Sequence, residues 1–125
     1  MLANLFRSIR PEPQWLERGS QQARLLLFAG NDLAVFDGHF PQSPILPGVA
    51  LLDWAIHCGR EAFAIDSSFV RMDATKFQRV VMPGTELILS LTWNDDNKAL
   101  AFRFESDHGA HASGRILFAA AEVTA

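Results

Sequence analysis

The sequence predicts an α+β fold in which an antiparallel β-sheet wraps around one long central helix. Short apolar stretches bounded by Gly, Pro, Asn and Asp lie on both sides of a single longer apolar segment, the pattern expected of strands that flank one helix. With 125 residues, 49% of them hydrophobic, the chain is long enough for one domain with one core. We therefore predict a single domain over residues 1–125.

The part of the chain before the helix contains short strands. "ARLLLFAG" (Ala23–Gly30) is an apolar run that ends in glycine and predicts a strand. "NDLAVFDG" follows it and predicts a turn, a strand and a second turn. The first twenty or so residues show no clear pattern, and we assign them no element.

The central helix is predicted from Pro47 to about Phe63. Proline suits the first helical position, because its missing N–H would have no intrahelical partner there. Apolar residues on all sides of the first turns predict a helix buried all round; they are Val49, Ala50, Leu51, Leu52, Trp54, Ala55 and Ile56. The later part, "HCGREAF", is more polar and is expected to turn toward solvent.

Four more strands are predicted after the helix. They are "FVRMDATKF", "TELILSLTW", "KALAFRFES" and "HASGRILFAAAEV". "VMPGTE" links the first two, whereas "TWNDDNKA" and "FESDHGAH" predict hairpin turns rich in Asn, Asp and Gly. Consecutive strands joined by such turns predict a meander.

Composition and cysteine content argue against several classes of protein. The net charge of −3 argues against a primary role on nucleic acid. Cys58 is the only cysteine, so no intrachain disulfide can form, and its apolar helical neighbours predict a buried, inert thiol. No apolar run approaches the ~20 residues of a membrane span, and the N-terminal residues lack the pattern of a secretory signal. We expect a cytoplasmic protein.

The residues that lead into the helix suggest a site for a carbonyl oxygen. Pro41, Pro44 and Pro47 restrict the backbone and remove three N–H groups. The amides of Gly48 and Val49 remain at the helix N-terminus without an intrahelical partner, where the helix dipole favours an oxyanion. Amides capped by water are the commoner outcome at such a terminus, and both interpretations stay open.

Two titratable residues flank this turn. Asp53 lies about 7.5 Å along the helix from Gly48, at about 1.5 Å per residue. If it is buried and partly protonated, it suits a general acid; alternatively it is a structural carboxylate paired with an Arg or with His57. His39 precedes the prolines and suits a general base, although a loop His is more often a surface residue. Together with the amides at the helix N-terminus, they suit the removal of a proton α to a thioester or ketone and the loss of a β-hydroxyl as water.

The stretch "FDGHFPQSPILPGVALLDWA" resembles the bacterial β-hydroxyacyl-acyl carrier protein dehydratases, hotdog-fold enzymes represented by FabZ and FabA. In that family Gly-His-Phe-Pro precedes Pro-(Ile/Val)-(Met/Leu)-Pro-Gly-Val, and a catalytic Glu or Asp follows the His by fourteen positions, as Asp53 follows His39 here. "ATKFQRVVMPGTEL" and "ASGRILFAAAEV" resemble later family strands, so the resemblance covers most of residues 23–123. Gln42 stands where the family usually has Gly, and an N-terminal "His-Arg-Tyr-Pro-Phe-Leu-Leu" element is missing. That short form, with "ILPGVALLDWA", looks more like the ApeI-type dehydratases of aryl polyene clusters.

The resemblance implies a function and a set of partners. His39 would abstract the α-proton, Asp53 would protonate the departing hydroxyl, and the Gly48 amide would hold the thioester oxygen, giving a trans-2-enoyl thioester in fatty acid or aryl polyene biosynthesis. The substrate would arrive on the phosphopantetheine arm of an acyl carrier protein, with no metal or other cofactor. Each site would join His and acid from two protomers of a dimer, or of an assembly with a second hotdog protein. The alternatives are a hotdog acyl-thioesterase and a non-catalytic acyl-binding protein.

Several other residues have two interpretations each. Four aromatic residues would line an acyl tunnel or belong equally well to the core; they are Phe36, Phe40, Trp54 and Phe77. Of these, Phe40 and Trp54 are expected to bind substrate, together with Gly48 and Val49. Arg71, Lys76 and Arg79 would steer an acidic carrier protein, or form a solvated strand face. A metal site at Asp53, His57 and Glu61 would need a further ligand, so a surface role for His57 is preferred. His108 and His111 lie in a predicted turn and are expected to be exposed.

Overall fold

A computed structural model of the chain describes residues 9–30, 33 and 45–120. Within these ranges the chain forms one helix and six strands. In chain order they are β1 (Gln14–Arg18), β2 (Gln22–Ala29), α1 (Gly48–Phe63), β3 (Phe69–Phe77), β4 (Thr85–Asn94), β5 (Ala99–Ser106) and β6 (Gly109–Phe118). The strand predicted in "NDLAVFDG" lies outside the described residues.

The predicted helix and the five strands from β2 to β6 are confirmed to within a few residues. β2 alternates buried and more exposed residues along its length, as a strand with one face on the core should. β1 was not predicted. Only one of its five residues, Trp15, is even partly buried, so no apolar alternation identifies it.

All strand pairs are antiparallel, and the sheet order is β1-β2-β4-β5-β6-β3. The predicted meander is therefore wrong for β3, which pairs with β6 rather than with β4. β2 already occupies the edge of β4 that β3 would have taken, with Leu25 opposite Leu89. β3 lies at the end of the sheet instead, with Met72 opposite Ile116.

Helix α1 packs against the sheet through one face. The buried residues of this face are Ala50, Leu51, Leu52, Trp54, Ala55, Cys58 and Gly59. The helix approaches the sheet so closely that a Cβ at Gly59 would collide with the side chain of Leu100. The prediction of a helix buried all round is wrong for this chain, because Val49 is 72% exposed on the other face. No helix within the described ranges is long and apolar enough to cross a membrane.

The two predicted hairpin turns are confirmed. In the β4–β5 turn, the Asn94 side chain accepts hydrogen bonds from the amides of Asp96 and Asn97, which is the turn chemistry expected of Asn. The β5–β6 turn ends at Gly109, whose φ of 106° suits a residue without a side chain.

Cys58 is buried in the helix–sheet interface, as predicted. Burial disfavours the charged thiolate and raises the pKa of Cys58 to about 12, with a smaller contribution from Glu61. Because the thiolate is the reactive form, the side chain behaves as a small apolar core residue.

Candidate active site

The start of helix α1 is held against the segment that follows β3. The Leu46 amide donates to the Val81 carbonyl over 2.8 Å, and both residues are buried. Pro47 is the N-cap rather than the first helical residue, and its φ of −63° and ψ of 144° turn the chain into the helix. The Ala50 amide donates back to the Pro47 carbonyl over 3.0 Å. The amides of Gly48 and Val49 precede it at the helix N-terminus, as the sequence predicted.

A cavity of about 510 Å³ opens at this helix terminus. Residues 45–49, Leu51 and residues 77–81 line it, so Gly48 and Val49 lie in its wall together with Phe77. A Cβ at Gly48 would come within 2.9 Å of the Phe77 ring, which shows why this position has no side chain. Phe77 is 54% exposed and lines the cavity rather than the core. The cavity is apolar on most of its wall, and its lining includes Gly48 and Val49, whose amides lie at the helix N-terminus.

Asp53 lies on helix α1 in a bidentate ion pair with Arg10. The Nε and Nη2 atoms of Arg10 donate to the two carboxylate oxygens over 2.8 and 2.9 Å. The Asp53 side chain is 41% exposed, so the expected unpaired burial is wrong for this chain. The alternative of a partner arginine is the one found. The hydrogen bond to Asp53 also raises the pKa of Arg10, so the guanidinium stays charged.

Trp54, beside Asp53, is a core residue. Its side chain is 1% exposed, and its indole N–H donates to the Ile9 carbonyl over 2.9 Å. It does not line the cavity at Gly48, which favours the core interpretation over a tunnel wall. Ile9 and Arg10 thus contact Trp54 and Asp53, two neighbouring residues of the helix.

The remaining predicted site residues lie outside the described residues. They are Phe36, His39, Phe40 and Gln42. The role of His39 as a base and that of Phe40 in substrate binding therefore stay predictions.

Gly48 and Asp53 lie on different faces of helix α1. Five residues along a helix of 3.6 residues per turn rotate the side-chain direction by about 140°, so the two positions face different sides. Accordingly, the cavity that contains Gly48 is lined by Leu51 but not by Asp53.

The prediction that His111 is exposed is wrong, because this residue is only 2% exposed. Its side chain contacts the segment that forms part of the cavity wall. Its Nδ1–H lies 3.2 Å from the carbonyl oxygens of Arg79 and Val80, and its Nε2 lies 2.6 Å from the Ser106 hydroxyl. Its carbonyl accepts hydrogen bonds from the amides of Gln78 and Arg79. The residues that His111 contacts, Arg79 and Val80, lie 32 and 31 residues earlier in the chain, so no local pattern predicts the burial of His111.

We expect His111→Ala to destabilise the protein by roughly 2 kcal/mol, because two carbonyls and a hydroxyl lose a buried partner. Urea unfolding of both variants, with exposed His108→Ala as the matched control, measures the difference. A free energy of unfolding equal to that of the control would show that the imidazole does not hold the segment.

The other titratable residues of the sequence analysis remain apart. His57 and His108 are exposed, as predicted. Over the described part of the chain, no three His, Cys, Asp or Glu side chains converge as a metal site would require. Arg71, Lys76 and Arg79 are all exposed, and Arg79 also lines the cavity.

Comparison with known proteins places this arrangement among enzymes. Residues 15–115 match the ApeI-like family, described as ApeI dehydratase. The chain is 30% identical over 97 residues to the 3-hydroxyacyl-[acyl-carrier-protein] dehydratase FabZ of Streptococcus pneumoniae serotype 4, a match that covers 67% of each chain. It is 36% identical over 75 residues to FabZ of Aliivibrio fischeri, which covers 53% of this chain and 50% of that protein. The chain thus spans between half and two thirds of these curated relatives.

A solved structure extends the similarity over more of the chain. The dehydratase heterocomplex ApeI:P from Xenorhabdus doucetiae matches with a TM-score of 0.79 and 32% sequence identity. That match covers 87% of this chain and 99% of the other. The six-stranded antiparallel sheet around one helix is therefore a hotdog fold, and the predicted fold class is confirmed.

Proposed function

Because the chain belongs to the ApeI-like dehydratase family, we propose that it is a 3-hydroxyacyl-[acyl-carrier-protein] dehydratase and that His39 and Asp53 carry out the acid–base chemistry. The cavity at the N-terminus of helix α1 is the observation that carries the proposal. Its wall is mostly apolar and includes Gly48 and Val49 at the helix N-terminus, where backbone amides have no intrahelical partner, which suits a thioester carbonyl followed by an acyl chain.

In the substrate, the elimination breaks the bond from the α-carbon to its hydrogen and the bond from the β-carbon to its hydroxyl, and it forms the α–β double bond. His39 takes the proton α to the thioester, and the Gly48 amide stabilises the negative charge that develops on the thioester oxygen. The α–β double bond forms as the bond from the β-carbon to its hydroxyl breaks. Asp53, directly or through a water molecule, supplies the proton with which the hydroxyl leaves as water. The products are a trans-2-enoyl thioester and water, and the proton on His39 returns to Asp53 through solvent.

We propose that a second subunit completes the site that contains His39 and Asp53. Asp53 lies outside the cavity of its own chain, on a different side of helix α1 from Gly48. β3 pairs with β6 along one edge, and its apolar residues Phe69, Val70 and Met72 are about half exposed. Such an edge suits pairing with another sheet. The second subunit is a second copy of this chain or another hotdog protein; the related ApeI:P structure is itself a heterocomplex.

The substrate reaches this site on a carrier protein. Arg79 lines the cavity, and Arg71 and Lys76 are exposed on β3, the strand that leads to the lining residues 77–81. An acidic carrier protein would be steered toward them. Its phosphopantetheine arm would then bring the acyl group to the Gly48 amide. The reaction as written needs no metal and no redox cofactor.

One assay separates the proposed function from its two alternatives. The protein is incubated with a 3-hydroxyacyl thioester while enoyl absorbance and free thiol are followed together. We expect the enoyl signal to rise without thiol release. Thiol release without an enoyl product would identify an acyl-thioesterase instead, and tight acyl binding with neither signal would identify an acyl-binding protein.

A further inference from the structure

Residues 9 and 10 contact the active-site helix at two consecutive positions. The Arg10 guanidinium donates hydrogen bonds to both carboxylate oxygens of Asp53, and the Ile9 carbonyl accepts a hydrogen bond from the Trp54 indole. The paired positions are 43 and 45 residues apart in sequence. Because Trp54 is fixed in the core, its bond to Ile9 places the neighbouring arginine beside Asp53.

The geometry of the pair leaves Asp53 able to act. A carboxylate has about four lone-pair directions, and the two N–H donors of Arg10 occupy one on each oxygen. The other directions remain open to a hydroxyl or a water molecule, in agreement with the 41% exposure of the side chain. The planar fork fixes the rotation of the carboxylate, so the direction of the open lone pair on each oxygen is fixed as well.

The pair contributes little to the stability of the fold. Both side chains are more than one third exposed, and solvent screening makes pairs of this kind weak contributors to protein stability. We expect the pair to affect the rate of proton transfer more than the stability of the fold, since misplacing a reacting group by about 1 Å can lower a rate about 100-fold.

We propose that Arg10 is a positioning residue for the dehydration, which orients the Asp53 carboxyl group and stabilises the carboxylate left when Asp53 has given its proton to the departing hydroxyl. The inference rests on the proposed role of Asp53. In the proposed reaction Asp53 is a carboxylate after that proton transfer, and two N–H donors of Arg10 are in place to bind it. Without Arg10, the carboxyl group rotates and its developing charge has no fixed partner.

Arg10→Ala tests the proposal in the full-length protein. We expect kcat to fall roughly 100-fold with KM changed less than about threefold, because substrate binding at the Gly48 cavity is untouched. Arg10 is 38% exposed, so a guanidinium ion can reach the vacated place. Guanidinium chloride far below its denaturing range should restore at least about tenfold of the lost kcat. Urea and sodium chloride at the same concentration should restore none.

Matched variants separate positioning from folding. Arg24→Ala removes another exposed guanidinium, which pairs with Glu17 over 3.4 Å, and should leave kcat unchanged. Arg10→Lys keeps the charge but not the fork, and should lose about tenfold in kcat, which also decides the matter if Arg10→Ala does not fold. Unchanged kcat in either Arg10 variant, or a loss that guanidinium does not reverse, overturns the proposal. If the wild-type protein forms no enoyl product, the proposed function itself fails, and this outcome is distinct from an active wild type with an indifferent Arg10.

Discussion

Asp53→Asn is expected to lower kcat for enoyl formation by about 1,000-fold, the loss typical of a removed general acid. Asparagine keeps the size of the side chain and can still accept one hydrogen bond from Arg10, but it carries no transferable carboxyl proton. The fold should persist, because an exposed pair adds at most about 1 kcal/mol to stability. The assay is the initial rate of enoyl formation from a 3-hydroxyacyl thioester.

The matched control for this variant is Asp95→Asn. Asp95 also belongs to an ion pair, with Lys98 at 2.9 Å, but it lies in the β4–β5 turn and outside the cavity at helix α1. We expect the control to keep wild-type kcat. If Asp53→Asn were as active as Asp95→Asn, Asp53 would not be the proton donor.

His39→Ala is expected to cause a loss of the same size, about 1,000-fold in kcat, because no other base would remain to take the α-proton. The expectation comes from the sequence, where His39 precedes Asp53 by fourteen residues in the Gly-His-Phe-Pro frame of the dehydratases. Hydration of the enoyl thioester should fall equally, since the same base serves both directions. The exposed His108→Ala serves as the control. Wild-type rates in the His39 variant would remove this residue from the mechanism.

The elements that the sequence predicted are those with a strong local pattern. Helix α1 has a proline before it and apolar residues through its first turns, and it begins within one residue of the predicted start. β4 alternates buried and more exposed residues, and its turn to β5 contains the Asn and Asp that such a turn needs. In these cases neighbouring residues alone determine the local structure.

The features that the sequence did not predict depend on distant contacts. β1 is one edge of the sheet and has almost no buried residue, so its pairing with β2 has no apolar pattern. The position of β3 depends on which strand edges are left open, and no local pattern records that. The burial of His111 depends on a segment more than thirty residues away.

The candidate site divides in the same way. The Gly48 and Val49 amides were predicted because a helix start and its prolines are local features. The partner of Asp53 was left open between an arginine and His57, because Arg10 precedes it by 43 residues and lies in the stretch without a clear pattern. The apolar spacing of helix α1 suggested burial for Asp53, whereas the fold of this chain leaves the side chain partly exposed.

Mixing the two inactive variants is the direct test of whether His39 of one subunit and Asp53 of the other form one acid–base site. Random exchange between His39→Ala and Asp53→Asn subunits gives mixed dimers in half of the cases, and each mixed dimer has one intact site of two. We therefore expect recovery of about one quarter of the wild-type specific activity. No recovery, although mass spectrometry shows that mixed dimers have formed, would contradict a shared site.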